Sequence, residues 1–206
     1  DRVIGGLDEN STKVAQDFYR NFVKGDLHPT NAKTAEMCKL VENSSRDVSI
    51  AFANELSMIC DKAEINVWEL IKLANKHPRV NILQPSTGVG GHCIPVDPEY
   101  LSFKTRQIGK PVRFVELAQE INNSMPAYVV GQISEILNKN GKLLNNSKIL
   151  LMGVAYKKDI SDMRESPAID VTELLLEKKV DVSYFDPFVK EFSVFGKEIN
   201  KEDEIN

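Results

Sequence analysis

The chain has 206 residues, 26 Lys and Arg against 30 Asp and Glu for a formal net charge of -4, and 42% hydrophobic residues, so it can bury a sizeable core. No basic stripe interleaves with aromatics, which argues against a nucleic-acid partner, and the longest apolar run, residues 149–155, is far too short to span a bilayer. The start of the chain lacks the basic region and apolar segment of a signal peptide, which gives a cytoplasmic reading; three cysteines without CxxC spacing argue against a disulfide framework or a zinc knuckle.

Residues 1–6 read as the end of a strand, and Asn10-Ser-Thr opens an amphipathic helix to about Val23. A lone strand and helix cannot bury themselves, so a preceding sheet is inferred to be missing. Residues 24–33, with Gly25, His28 and Pro29, read as a connector. From Thr34 the longest helical stretch runs to about Lys62, with Met37, Leu40, Val41, Val48, Phe52 and Ile59 in an approximate apolar stripe. Lys39 and Asn43, four apart, share a face that is by default a solvated one. Asn66-Val-Trp-Glu69 resembles a capping box for a helix ending near Asn75, after which Arg79 reads as a surface charge.

The segment from Pro85 to Pro98 is the loop around which the chain is organised. Gly88, Gly90 and Gly91 permit positive φ and close approach to the main chain, while Pro85, Pro95 and Pro98 stiffen the same loop. Asp97-Pro98-Glu99 reads as a helix start, with Asp97 as N-cap and Pro98 at the first helical position. Cys93 then lies near the positive end of a helix dipole, a setting that favours thiolate. His92 next to it does not suggest a Cys-His pair, because neighbouring side chains in an extended loop point apart. Cys38 and Cys60 lie on helices and read as small core residues. The helix from Pro98 stops at Gly109, and a further helical region, Phe114 to Leu137, carries Pro126 in its interior and must kink or divide there.

After Gly141 the period changes. Lys148–Gly153 reads as a buried strand, residues 155–165 as a charged loop, Ser166-Pro167 as an N-cap and first helical residue, and Val180–Phe185 as the next strand. This is a unit of a second, parallel-sheet domain, in which ligands sit beyond the carboxyl ends of strands, where Tyr156, Lys157 and Arg164 fall. It carries Gly153 but no GxGxxG, so it is not a standard dinucleotide turn; Lys157 is by default a surface charge. The tail after Glu191 reads as sparse in core residues, ending mid-domain.

Thr34–Asn43, Ala51-Phe-Ala-Asn-Glu55, the Gly90-Gly-His-Cys loop with Asp97, and Ala155-Tyr-Lys-Lys-Asp with Arg164-Glu-Ser-Pro167 stand in the order and spacing of one family. Over essentially its whole length the chain resembles the UDP-glucose/GDP-mannose dehydrogenase family, whose members oxidise a sugar-nucleotide alcohol to a carboxylate with NAD. Residues 75–85 and the Gly-Gly-His-Cys-Ile run are most similar to the branch acting on UDP-N-acetyl-D-mannosamine, while residues 94–98 and 156–159 are also similar to UDP-N-acetylglucosamine 6-dehydrogenases. Val96 departs from the lysine that UDP-glucose enzymes usually carry there.

The resemblance implies an α/β fold: a remnant of an N-terminal NAD-binding Rossmann domain in residues 1–33, an all-helical central dimerisation domain in 34–126, and a connecting helix with a truncated Rossmann-like UDP-sugar-binding domain in 127–206. It implies a covalent role for Cys93, oxyanion donors in Lys39 and Asn43, and water or proton handling by Asp97. It also implies a UDP-N-acetylhexosamine substrate bound through Gly90, Gly91, Tyr156 and Lys157, with Arg79 lent by the second subunit of a homodimer and Arg164 facing NAD. With the dinucleotide fingerprint absent, the chain alone is not expected to turn over. A non-catalytic sugar-nucleotide-binding or dimer scaffold is the competing expectation, which would keep the same motifs.

Overall fold

The structure, a computed structural model, describes residues 1–204. It opens with a βαβ unit. Strand β1 (Arg2–Gly6) leads through helix α1 (Glu9–Tyr19) to β2 (Leu27–Asn31), which pairs parallel to β1 with Arg2 opposite Leu27 and Gly6 opposite Asn31. A capping box starts α1, with Asp8 and Ser11 each accepting from the other's backbone. The segment read as a connector therefore contains a strand; its Pro29 is tolerated because β2 pairs on one side only. Helix α1 also ends sooner than its apolar residues suggest, leaving Phe18 and Phe22 exposed in an edge-to-face pair.

Four helices follow: α2 (Ala32–Lys62), α3 (Val67–Ala74), α4 (Asp97–Gln107) and α5 (Arg113–Lys139). Asn31 caps α2 through Thr34 N, and Asn66 caps α3 through Trp68 N and Glu69 N. Long helices α2 and α5 pack together, and α4 packs against both. Arg106 on α4 grips Glu116 on α5 through Nε and Nη2, each at 2.9 Å, and so ties the two helices across the turn between them. The buried face of α2 is not the apolar stripe read from the sequence. It is small and polar, with Asn43, Ser44, Asp47, Ala51, Ala53 and Asn54 inside, whereas Met37, Val41, Phe52 and Ile59 face outward. Small residues let α5 approach closely, and Asp47 and Asn54 are paired with Asn122 of α5 in place of solvent.

Helix α5 continues across Pro126. Pro126 cannot donate to the Asn122 carbonyl, and that oxygen lies 3.4 Å from where a Cβ on Gly88 would stand, so the cysteine loop passes beside the gap in the helix ladder.

The C-terminal half of α5 joins a second unit. Strand β3 (Lys148–Met152), helix α6 (Pro167–Glu177) and β4 (Asp181–Phe185) form a parallel pair, Lys148 opposite Asp181 and Met152 opposite Phe185. Short strands β5 (Ser193–Val194) and β6 (Lys197–Glu198) pair antiparallel, and β7 (Asn200–Lys201) adds parallel to β4, giving the order β3-β4-β7. The tail is richer in core than its sequence suggested: Phe192, Val194 and Ile199 are buried with Tyr184 and Leu175. From α5, Val130 joins this core, and Ile133 and Leu137 pack against it. Phe114, Leu117 and Trp68 stay exposed on the helical part. No helix among the described residues is long and apolar enough to cross a membrane.

Candidate functional site

Helix α2 carries Lys39 and Asn43 on one face, and the structure joins them to the cysteine loop. Lys39 Nζ donates to Asn43 Oδ1 at 3.3 Å, and Asn43 Nδ2 donates to Asp97 Oδ2. Asp97 is not the N-cap. That position belongs to Val96, whose side chain cannot cap, and the Asp97 carboxylate is turned toward α2. The first turn of α4 winds directly out of the cysteine: the Cys93 carbonyl accepts from Val96 N at 3.2 Å and from Asp97 N at 2.8 Å. Lys39, Asn43, Asp97 and the Cys93 main chain thus form one continuous hydrogen-bonded run. Cys93 itself is exposed, Cys38 half-buried and Cys60 buried.

The opposite side of the loop rests on the β3–α6 connection. Gly91 N donates to the Arg164 carbonyl at 3.0 Å. A Cβ on Gly91, whose φ is 89°, would stand 2.8 Å from Tyr156 Cε2, and one on Gly90 would meet the Glu165 carbonyl oxygen at 2.6 Å. The glycines are therefore spacers against Tyr156 and the loop backbone rather than simple flexibility. Tyr156 is fixed in turn by its N–H, which donates to the Asp162 carbonyl at 3.1 Å.

Asp162 and Arg164 form a forked pair. Arg164 Nε reaches both carboxylate oxygens, at 3.0 and 3.1 Å, and Nη2 reaches Oδ2 at 2.6 Å, while Arg164 N also donates to Oδ1. The guanidinium hydrogen bond, with the backbone one behind it, draws the Asp162 carboxyl down to about 2. Arg164 thereby presents an exposed, pre-oriented cation beside the loop. Lys157 and Arg79 are exposed, and their side chains make no hydrogen bond or ion pair among the described residues. Arg79 sits in the turn after α3, outside the Lys39–Asp97 run.

Three buried groups went unmarked in the sequence. Asp186 follows β4 and accepts from Val154 N, Ala155 N, Phe188 N and Val189 N; burial raises its carboxyl, but these backbone donors outweigh burial and leave it lowered. It shapes the bend that delivers Tyr156, and an Asp-Pro just past a strand was the signal available. The other two are Asp47 and Asn122, buried between α2 and α5. Asp47 Oδ1 accepts from Asn122 Nδ2 at 2.7 Å, and burial, only partly offset by that bond, pushes the Asp47 carboxyl up to about 6. Their signal was positional: Asn43, Asp47 and Asn54 recur at four and seven residues, a polar line down one side of a long helix.

Residues 33–124 match the central domain of the UDP-glucose/GDP-mannose dehydrogenase family, and residues 150–205 match that family's UDP-binding domain. The chain belongs to this family. It is 48% identical over 187 residues to a UDP-N-acetyl-D-mannosamine dehydrogenase of Methanococcus maripaludis, a span covering 91% of this chain and 42% of that protein. The solved UDP-D-ManNAc dehydrogenase of Pyrococcus horikoshii superposes with a TM-score of 0.85 at 42% identity, covering 91% of this chain and 44% of that one. An NDP-N-acetyl-D-galactosaminuronic acid dehydrogenase of Methanosarcina mazei matches with a TM-score of 0.88 at 30% identity, covering all of this chain and 45% of the other. The chain thus spans less than half the length of the relatives it matches.

Proposed function

We propose that this chain supplies the thiol and sugar-nucleotide half of an NAD-dependent UDP-N-acetyl-D-mannosamine 6-dehydrogenase, making a uronic acid for a surface polysaccharide. The observation that carries the reading is the run Lys39–Asn43–Asp97–Cys93, which ties two donors on α2, through a carboxylate, to the main chain of the loop that bears an exposed thiol.

The cysteine's part is covalent. Once the sugar C6 alcohol has lost a hydride and a proton, Cys93 Sγ adds to the resulting aldehyde carbon and the oxygen takes up the proton, giving a thiohemiacetal that cannot diffuse away. Loss of a second hydride and proton leaves a thioester; water attacks its carbonyl carbon, the carbon–sulfur bond breaks, and the carboxylate and free thiol result. Lys39 and Asn43 stabilise the oxyanion at each tetrahedral stage. Asp97, already hydrogen-bonded to Asn43, holds the attacking water and accepts its proton. NAD, when bound, would supply the hydride acceptor, one molecule for each of the two oxidations. Among the described residues no strand-turn-helix carries a GxGxxG, so the fitting group for that cofactor within this chain is the Asp162-held Arg164, a fixed cation suited to a phosphate.

Tyr156 and Lys157, at the carboxyl end of β3, are assigned to the nucleotide, and Gly90 with Gly91 to the close approach of substrate to the loop. A homodimer through the helical part accounts for the exposed Phe114, Leu117 and Trp68, and for Arg79, whose side chain reaches no partner among the described residues but can serve a neighbour's site. Val130, Ile133 and Leu137 are excluded from that surface, since the second unit covers them.

The test is a substrate panel on an enzyme that joins residues 1–206 to a relative's amino-terminal half. UDP-N-acetyl-D-mannosamine should be oxidised in preference to UDP-N-acetylglucosamine and UDP-glucose. Preference for the gluco epimer would move the assignment within the family, and binding without turnover of all three would leave a sugar-nucleotide scaffold.

A further inference from the structure

We propose that Asp47 is a positioning residue for the cysteine loop: through two buried amides it dictates which atom is offered to the backbone N–H of Ser86, where the loop begins. The inference rests on the reading of Cys93 above for its purpose, but not for its geometry.

The chain of bonds runs in one direction. Ser86 N donates to Asn54 Oδ1 at 2.7 Å, Asn54 Nδ2 donates to Asn122 Oδ1 at 2.9 Å, and Asn122 Nδ2 donates to Asp47 Oδ1 at 2.7 Å and to the Asp47 carbonyl at 3.2 Å. Asp47, Asn54 and Asn122 are each 2% exposed or less, so water cannot substitute for a wrongly turned group. An amide can present either its oxygen or its nitrogen, and two amides in series can be flipped together. An ionised carboxylate has no such freedom, because it only accepts. Asp47 at the far end therefore forces the Asn122 nitrogen toward itself, which forces the Asn54 nitrogen toward Asn122, which leaves the Asn54 oxygen for Ser86. Reversed, the chain would set the Asn54 amino group against the Ser86 N–H, two donors face to face.

The price of this arrangement is visible. Asp47 Oδ2 has no hydrogen-bond partner among the described residues, and neither has the nearby buried Ser44 hydroxyl. A buried carboxylate with one oxygen idle adds little to the fold, and a neutral amide or an apolar residue would fit α2 with a smaller desolvation penalty. What the carboxylate adds is direction. The anchor it sets is carried on into the loop: Ser86 Oγ donates to the Gly88 carbonyl at 2.7 Å, and Gly88 lies against the Asn122 carbonyl that Pro126 leaves free.

The test compares the parent chain, Asp47→Asn, and the swap Asp47→Asn with Asn122→Asp. In the swap, the carboxylate now on α5 accepts both from the amide that replaces Asp47 and from Asn54, so the Asn54 oxygen is returned to Ser86 although the acid has changed helix. At pH 8, hydrogen exchange of the Ser86 amide should quicken at least about fivefold in Asp47→Asn, the factor of one net hydrogen bond, while the helical amides of α2 and α5 hold their rates. The swap should bring Ser86 back to within about twofold of the parent. Cys93 alkylation by iodoacetamide should depart from the parent rate in the single variant and return in the swap. Unchanged Ser86 exchange in Asp47→Asn, equal acceleration throughout α2 and α5, or a swap as fast as the single variant would each overturn the proposal. If Asp47→Asn does not fold, the swap alone decides: protection of Ser86 at the parent level supports the relay, and its loss refutes it. Ser86 exchange needs no substrate, so a relay that behaves as stated in an enzyme that oxidises no UDP-sugar would sink the catalytic reading and leave the relay standing.

Discussion

Replacing the two loop glycines by alanine should separate two kinds of obstruction that lie one residue apart. At Gly91 the new Cβ meets the rim of the Tyr156 ring, 2.8 Å from Cε2 and 3.1 Å from Cδ2 and Cζ, and the backbone sits at a φ of 89° that L residues rarely adopt. Tyr156 is partly exposed and its ring can swing away at a cost of roughly 1 kcal/mol, so the dihedral, at about 1–3 kcal/mol, is the larger penalty. At Gly90 the dihedral is permissive, but the Cβ meets the Glu165 carbonyl oxygen at 2.6 Å, Tyr156 Cβ at 2.7 Å and Pro167 Cδ at 3.0 Å. A backbone oxygen, a Cβ and a proline ring carbon cannot rotate away, so the loop must lift off the second unit, at roughly 3 kcal/mol, the upper end for overpacking. Thermal unfolding of both variants, alone and with Tyr156→Ala, reads the difference. Each glycine variant should lower Tm by roughly 5–12 °C for a chain of this size. Tyr156→Ala should return the ring-clash part of the loss at Gly91 and none at Gly90, because Tyr156 Cβ and the Glu165 carbonyl remain. Neutral behaviour of Gly90→Ala, or equal rescue of both by Tyr156→Ala, would refute the docking of this loop on the β3–α6 connection.

Three further outcomes are expected. Iodoacetamide on the native chain should label Cys93 first, Cys38 later and Cys60 only on unfolding, following their exposed, half-buried and buried settings; peptide mass spectrometry reads the order, and early labelling of Cys60 would contradict it. Asp47 has its carboxyl raised from 3.8 to about 6 in the fold, so its protonated form favours folding, and that advantage is lost as pH rises from about 4 through about 6. The stability of Asp47→Asn relative to the parent should therefore climb across this window and level off above it; a difference flat from pH 4 to 8 would show that Asp47 is not desolvated. In the joined enzyme, Lys39→Ala should lower kcat by on the order of a hundredfold with a smaller rise in KM, as expected for a donor used at the oxyanion; a change in KM alone would make Lys39 a binding residue.

Local signals carried much of this structure. Asn66 and Ser166-Pro167 marked their helix starts, and the β3–α6–β4 unit followed from a change of period after Gly141. The loop from Pro85 to Pro98 stood out by composition because its constraints are backbone constraints, and Gly and Pro announce those directly. What failed depended on partners distant in sequence. The apolar stripe on α2 was misplaced because a helix facing another at close range buries Ala51, Ala53 and Asn54 rather than its largest side chains. Asp97 looked like an N-cap because the pattern Asp-Pro-Glu is local, whereas its carboxylate is claimed by Asn43, 54 residues earlier. Strand β2 was hidden by Pro29, which a two-stranded edge accommodates. Asp47 and Asn122, 75 residues apart, form a pair that no local pattern could join, although the spacing of Asn43, Asp47 and Asn54 pointed to a polar seam.

The central claim is that Cys93 carries the sugar as a covalent intermediate, and intact-protein mass spectrometry tests it most directly. The joined enzyme, mixed with NAD and UDP-N-acetyl-D-mannosamine and quenched in acid during turnover, should show a sugar-nucleotide adduct that maps to the peptide holding Cys93, with two NADH formed for each uronate released. Cys93→Ser should form no thioester and should not reach that yield. An adduct on another residue, or unimpaired NADH formation by Cys93→Ser, would contradict the account.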